Sequence, residues 1–230
     1  MPTVQNQLIK KLPRADRLRL LDACEMVELS SSMVLCEPGE KLHHAYFPLD
    51  SFISLLTLVD GHAGVEVGMV GREGLLGASV AQGVFLVPLK AVVQGPGKAL
   101  RISATALRSQ LAQSPALQRL MHRYLFVLMA QMATSAACLR YHQIGPRLAR
   151  WLLMSEDRAH SKHLGMTQDF LAAMLGVRRV GVTQAAGVLQ QASLIAYTRG
   201  ALTVVDREGL KAVACSCYAV DQKTYAATLG

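Results

Sequence analysis

Acidic side chains are missing from the entire stretch between Gly74 and Ser155, whereas Lys90, Lys98, Arg101, Arg108, Arg119, Arg123, Arg140, Arg147 and Arg150 all fall within it. The positive charge of a chain that carries +8 overall is therefore concentrated in its middle, which favours an anionic partner such as nucleic acid and equally suits a solvated basic surface. Cysteine is scarce and odd in number, with five residues at positions 24, 36, 138, 215 and 217 and no repeated Cys-x-x-Cys. That spacing suggests neither a disulfide framework nor a zinc site, so no metal ligands are expected. Cys215-Ser216-Cys217 is close enough for redox chemistry, but a lone C-x-C is a weak signal.

Long apolar runs are absent too. The opening residues carry Lys10, Lys11, Arg14 and Arg17 with no apolar core of a signal peptide. The longest uncharged runs, Gly74 to Leu89 and Tyr124 to Leu139, fall short of the roughly 20 residues a membrane-spanning helix needs. A cytoplasmic protein without a membrane partner is expected. Catalytic signatures are lacking as well: there is no phosphate loop, no His-Glu-x-x-His and no G-x-S-x-G elbow, so an enzyme is not expected.

What is present is apolar and organised. With 230 residues and 51% hydrophobic content the chain can bury a substantial core in one large or two modest domains. Residues 3–24 place Leu8, Leu12, Leu18 and Leu21 at helical spacing. From Met26 to Ile102 short apolar runs alternate with the turn dipeptides Pro38-Gly39, Asp60-Gly61 and Pro96-Gly97, which predicts a small β-barrel or jelly roll. Within it, GREGLLGASVAQG reads as a short helix or a loop in close approach to something.

After Ser103 the pattern turns helical. A first helix is capped by Ser103 and stopped by Pro115. A long one follows to Tyr141, with Leu117, Leu120, Met121, Tyr124, Leu128 and Met132 forming an apolar stripe wide enough for the barrel and for a second copy of itself. Gly145-Pro146 is the expected hinge. The fold class is α+β: a β-roll sensor domain at 1–113, a dimerisation helix and hinge at 114–143, and a DNA-binding domain at 144–230.

That last assignment rests on MTQDFLAAMLGVRRVGVTQAAGVLQ. Thr167 caps a helix with Phe170, Leu171, Met174 and Leu175 at spacings of three and four, Gly176 supplies a sharp turn, and a second helix begins near Arg178. It buries Val182, Ala185, Ala186 and Leu189 and offers Arg178, Arg179, Thr183 and Gln184 near its start, the side-chain types that bind phosphates or read base edges. Two β-prone runs, Ile195 to Thr198 and Leu202 to Val205, then form a hairpin through Arg199-Gly200, and Asp206 caps a last helix through Tyr218. The candidate DNA-binding residues are Thr167, Gln168, Arg178, Arg179, Thr183, Gln184 and, in the wing, Arg199.

In this order of elements the chain resembles the Crp/Fnr family of bacterial transcription regulators. The resemblance runs through EPGE, GREGLLG, ALRISATALRSQLAQSPAL and IGPRLARWLLM as well as through the winged helix-turn-helix. It implies a homodimer joined through residues 114–140, which reads a palindromic site on double-stranded DNA and has RNA polymerase as an expected partner. It also implies an effector pocket at Gly71, Glu73, Gly74, Leu75 and Lys90.

The departures bear on the effector. Cyclic-nucleotide-binding members follow the Gly-Glu-Leu turn with Arg-Ser/Thr-Ala, where this chain has Pro88-Leu89-Lys90-Ala91, and lysine lacks the bidentate fork of arginine. Cyclic AMP is therefore not expected. Cys24, Cys36 and Cys138 do not reproduce an iron–sulfur cluster's spacing. Haem would have to draw on Pro2, His43, His44 or His62, and the adjacent pair points to opposite faces of a strand. The cofactor is left open. An alternative reading is a ligand sensor that acts through protein contacts and carries a vestigial DNA-binding head.

Overall fold

The structure, a computed structural model, describes residues 6–60, 64–159, 163–198 and 200–230. Two short helices, α1 (Gln7–Lys10) and α2 (Arg14–Asp22), precede seven strands: β1 (Glu25–Leu29), β2 (Val34–Cys36), β3 (His44–Pro48), β4 (Phe52–Thr57), β5 (Val65–Val70), β6 (Lys90–Gly95) and β7 (Gly97–Ser103). They pair antiparallel in two sheets, ordered β1-β7-β3 and β2-β6-β4-β5. A 3₁₀ turn at Ala78–Gln82 follows the GREGLLG segment. The Pro96-Gly97 dipeptide does not close a hairpin: it passes the chain from β6 in one sheet straight into β7 in the other.

Side chains of β4 show how the roll carries the rest of the molecule. Successive residues on a strand point to opposite faces. Ile53 and Leu55 enter the core between the two sheets, while Phe52 and Leu56 enter a second core on the sheet's outer side. Neighbouring strands obey the same rule, with Val70, Ala91 and Val93 inside and Met69 and Val92 outside. A sheet covered on both faces is written as a nearly continuous apolar run, which is why FISLLT shows no alternation of polar and apolar residues.

The helices lie across this frame. After α3 (Ala104–Gln113), the long α4 (Pro115–Tyr141) packs Leu117, Met121, Tyr124 and Val127 into the roll. Gly74 sits directly beneath the Tyr124 ring, where any side chain would collide with it. Leu128 and Met132 also lie against the roll, so the stripe read from the sequence is spent within the chain. A different face remains open: Phe126 (51% exposed) and Met129 (61%), continued by exposed Ala133 and Ala137 at heptad-like spacing.

The break between α4 and α5 (Ile144–Ala159) falls at extended His142 rather than at Gly145-Pro146, which lies inside the first turn of α5, where proline's missing N–H costs nothing. Helix α5 is the core of the C-terminal unit: Leu148, Leu152 and Leu153 are fully buried, and Trp151 reaches the roll. Then come β8 (His163–Gly165), α6 (Gln168–Leu175), α7 (Arg179–Gln191), β9 (Ile195–Thr198), β10 (Ala201–Val204), α8 (Arg207–Val213) and α9 (Cys217–Leu229). The single last helix read from the sequence is thus two. α9 turns back along α4, the Tyr225 hydroxyl donates to the Glu73 carbonyl at 3.1 Å, and Leu229 ends in the core of the roll.

Polar contacts fix the two units against each other. Glu73, in the turn after β5, pairs with Arg158 of α5 at 2.8 Å. Glu66 of β5 accepts a 2.9 Å hydrogen bond from the Trp151 indole and another from the Ser54 hydroxyl. Burial of its carboxylate outweighs these bonds and the nearby arginines, and pushes its pKa up from 4.5 to about 7. Between those values the folded chain binds a proton that the unfolded chain has released, so stability is highest below the window and falls as pH rises through it. Glu66→Gln removes the titration: its amide oxygen still accepts from the Trp151 indole, and its NH2 donates to the Ser54 hydroxyl in place of accepting from it. Its melting temperature is expected to stay nearly level between about pH 5 and pH 8, where that of the parent declines, as read by thermal denaturation across pH.

Candidate nucleic-acid interface

The sequence builds the C-terminal head around a helix pair. Thr167 accepts a 3.2 Å hydrogen bond from Phe170 N–H as the N-cap of α6, and Gly176 closes that helix with φ +61°, a conformation that favours glycine. α6 ends under Arg147, whose buried guanidinium donates to the Leu175 carbonyl. Arg150 is buried as well, bonded to Ser135 Oγ at 3.2 Å and to Asp221 at 2.7 Å. Lys90 and Arg101 pair with Glu37 and Glu25, each at 2.7 Å. Part of the acid-free basic stretch is therefore committed to internal and local bonds rather than to a single anion-binding surface.

Helix α7 begins at Arg179, with Arg178 as its extended N-cap residue. At roughly 100° per residue, Val182, Ala185, Ala186 and Leu189 share one side, and these are the buried ones. The opposite arc presents Val180, Thr183, Gln184, Gly187 and Val188, all but half-buried Gly187 exposed to solvent, and Arg179, exposed because it opens the helix, stands at the edge of that arc beside Thr183. Arg179 rests 3.5 Å from Asp169, both more than half exposed, a pair a phosphate can open at little cost. The Thr183 hydroxyl donates to Gln168 Oε1 at 2.6 Å and lies 3.1 Å from the Arg179 carbonyl.

The structure thus gathers Gln168, Arg178, Arg179, Thr183 and Gln184 on or beside one exposed helix face, while Thr167 serves as a cap. Sequence reading passed over Val180 and Val188, 60% and 65% exposed on that face. The signal was their place on the helical wheel, and such side chains suit contact with a thymine methyl group. Beside the helix, β9 and β10 form the wing, and β8 joins as a third strand in the order β8-β10-β9. The Tyr197 hydroxyl ties the wing to the Met166 carbonyl at 3.0 Å. Arg199 lies outside the described residues.

Four of the five residues named for an effector pocket, Gly71, Glu73, Gly74 and Leu75, stay together in one turn after β5, where the Gly71 N–H donates to Glu73 at 3.1 Å, and Lys90 stands apart at the start of β6. Glu73 is engaged by Arg158, Gly71 and Gly74 lie against Arg158 and Tyr124, and Lys90 is paired with Glu37. Leu75 alone of the five lines an apolar cavity of about 370 Å³ between the roll and α4, together with Leu42, Val70, Val87, Leu125 and Met132. Of the residues weighed for haem, Pro2 and His62 lie outside the described residues; His43 is exposed and His44, on β3, half-buried. The cysteines, by contrast, do converge. Cys138 and His142 from the end of α4 meet Cys215 and Cys217 from the α8–α9 connection, their ligand atoms all within 4.8 Å of one another. The signal was a four-residue spacing on one helix, and nothing in the sequence joins it to a C-x-C seventy-odd positions later.

With this geometry the chain can be compared with known proteins. Residues 146–213 match the family model of the Crp-like helix-turn-helix domain. The head is a Crp-like helix-turn-helix. Beyond the head, most of the chain shares the fold of solved Crp/Fnr regulators. FixK2 of Bradyrhizobium japonicum superposes with a TM-score of 0.70 at 12% identity, over 84% of this chain and 98% of that one. A putative regulator of the crp/fnr family from Eubacterium rectale gives 0.68 at 14% identity over 90% and 96%. A Crp/Fnr family regulator from Thermus thermophilus gives 0.66 at 21% identity over 83% and 98%. No curated protein sequence matches the chain. No helix among the described residues is long and apolar enough to cross a membrane.

The head's stability should report the cap. Thr167→Ala is expected to cost about 1 kcal/mol in urea denaturation, because the Phe170 N–H loses its partner. An unchanged midpoint would show that the cap contributes nothing.

Proposed function

We propose that this protein is a homodimeric, sequence-specific transcription factor whose two α7 helices enter successive major grooves of an inverted repeat and which acts with RNA polymerase. The observation that carries the reading is the exposed Arg179-Val180-Thr183-Gln184-Val188 face at the start of the second helix of a Crp-like head. Arg178 and Arg179 bind guanine edges or phosphates, Thr183 and Gln184 contact bases or backbone, Gln168 orients Thr183, and Arg199 in the wing meets phosphate. Two such heads read half-sites about one helical turn apart.

The dimer is supported by the open stripe Phe126, Met129, Ala133 and Ala137, where small residues allow a second α4 to approach closely beside two large apolar anchors. The cavity of the roll points to an apolar effector or none: leucine, valine and methionine line it, and among the described residues no arginine stands there to grip a phosphate.

Selection from random duplex DNA at near-physiological salt is expected to recover an inverted repeat. Binding that is salt-sensitive and indifferent to sequence would favour a vestigial head. Arg179→Ala should weaken the selected site by about 1 to 3 kcal/mol and relax its preference among bases. Met129→Glu should shift the mass in light scattering from dimer to monomer, since two carboxylates would face each other across an apolar seam.

A further inference from the structure

We propose that Cys138, His142, Cys215 and Cys217 form a tetrahedral zinc site that staples the C-terminal helix to the end of α4. Cys138 lies in the last turn of α4 and His142 is the residue that caps it, its N–H donating to the Cys138 carbonyl at 3.1 Å, which keeps the two one turn apart on the same side. Opposite them, the chain leaves α8, extends through Ala214 (φ −67°, ψ 150°) and turns into α9 at Ser216 (φ −54°, ψ −20°). That turn aims Cys215 and Cys217 to one side. The Cys215 N–H donates to the Pro146 carbonyl at 3.3 Å and anchors the turn on the first turn of α5.

The distances suit one ion. Cys138 Sγ and Cys215 Sγ are 3.5 Å apart, as are Cys217 Sγ and His142 Nδ1, and no ligand atom is more than 4.8 Å from another. A tetrahedron with metal–sulfur bonds of about 2.3 Å and a metal–nitrogen bond of about 2.0 Å has edges of roughly 3.5 to 3.8 Å. The four atoms surround one small centre, too close together to be shared among the irons of a sulfide-bridged cluster. Three thiolates and an imidazole are soft and borderline donors, which select zinc over magnesium or calcium, and four protein ligands make a closed structural site rather than a catalytic one.

The surroundings fit the charge. Three thiolates around a divalent ion leave one negative charge, and the Arg150 guanidinium, held by Asp221 and Ser135, lines the same small cavity as Cys138 together with Arg147. Two buried guanidinium groups this close to the cluster suit a site that carries net negative charge. On binding, each metal–sulfur bond forms as a thiol proton leaves for solvent, His142 coordinates through neutral Nδ1, and no electron is transferred.

Such a site would do what side-chain packing alone does weakly here. It joins the last turn of α4 to the α8–α9 connection across the break at His142, where the direction of the head is set. The proposal is independent of which DNA the head reads.

The test uses the full chain purified under reducing conditions without chelator. Elemental analysis is expected to give about one zinc per chain. After demetallation, cobalt(II) should produce the intense visible bands of tetrahedral thiolate coordination, saturating at about one equivalent and bleaching on addition of zinc. Cys217→Ser should weaken cobalt binding at least tenfold, as should His142→Ala, while Cys36→Ser, outside the cluster, leaves it unchanged. If those ligand variants fail to fold, His142→Cys keeps four ligands and should retain the tetrahedral bands with stronger sulfur-to-cobalt charge transfer. Metal-free protein that leaves cobalt octahedral would overturn the proposal. So would an iron chromophore, or a Cys138–Cys215 disulfide found by peptide mass in protein purified without reductant that also binds no zinc when reduced.

Discussion

The four-stranded sheet has to be apolar on both faces, and most of the architecture follows from that. Its inner face closes the roll; its outer face, through Phe52, Leu56, Met69 and Val92, belongs to the same core as Trp151, Leu171 and Val182. A head that shares a core with the roll cannot swing free of it without exposing that surface to water, at roughly 25 cal/mol for every Å² uncovered. The hydrogen bonds to Glu66 and the Glu73–Arg158 pair sit at the same seam and set orientation more than strength. The position of the recognition helix is therefore linked to the state of the roll by direct contact.

Much of this was legible in the sequence because it is local. Thr167, Gly176 and the apolar spacing around them specify a helix, a turn and a helix whatever surrounds them, and the buried face of α7 is the one its periodicity dictates. What stayed hidden depends on partners far along the chain. Arg147 and Arg150 read as surface charge until Leu175, Ser135 and Asp221 are brought against them. The α4 stripe of Leu117, Met121 and Tyr124 was visible, but which of two apolar stripes faces the roll is decided by the roll's shape. A family pattern carried Glu73, Gly74 and Lys90 to an effector pocket; the pairing of Glu73 with Arg158 and of Lys90 with Glu37, and the contact of Gly74 with Tyr124, depend on distant partners that no local pattern shows.

The cysteines illustrate the same limit. Motif searches look for ligands clustered in sequence, and a site assembled half from one helix and half from a turn beyond the whole DNA-binding head has no such signature. Its donors come from the two segments that flank the head, Cys138 and His142 before it and Cys215 and Cys217 after it.

Helix α9 gives that arrangement a mechanical meaning. The head leaves α4 at His142, and the chain comes back to α4 and the roll through Cys217–Leu229, with Leu229 seated in the roll's core. A body held at one point can swivel about three axes; held at two, it turns only about the line that joins them. With the shared core along one face as well, the head is pinned at both ends and along its side, so a rearrangement of the roll carries it as one body instead of letting it pivot on the end of α4.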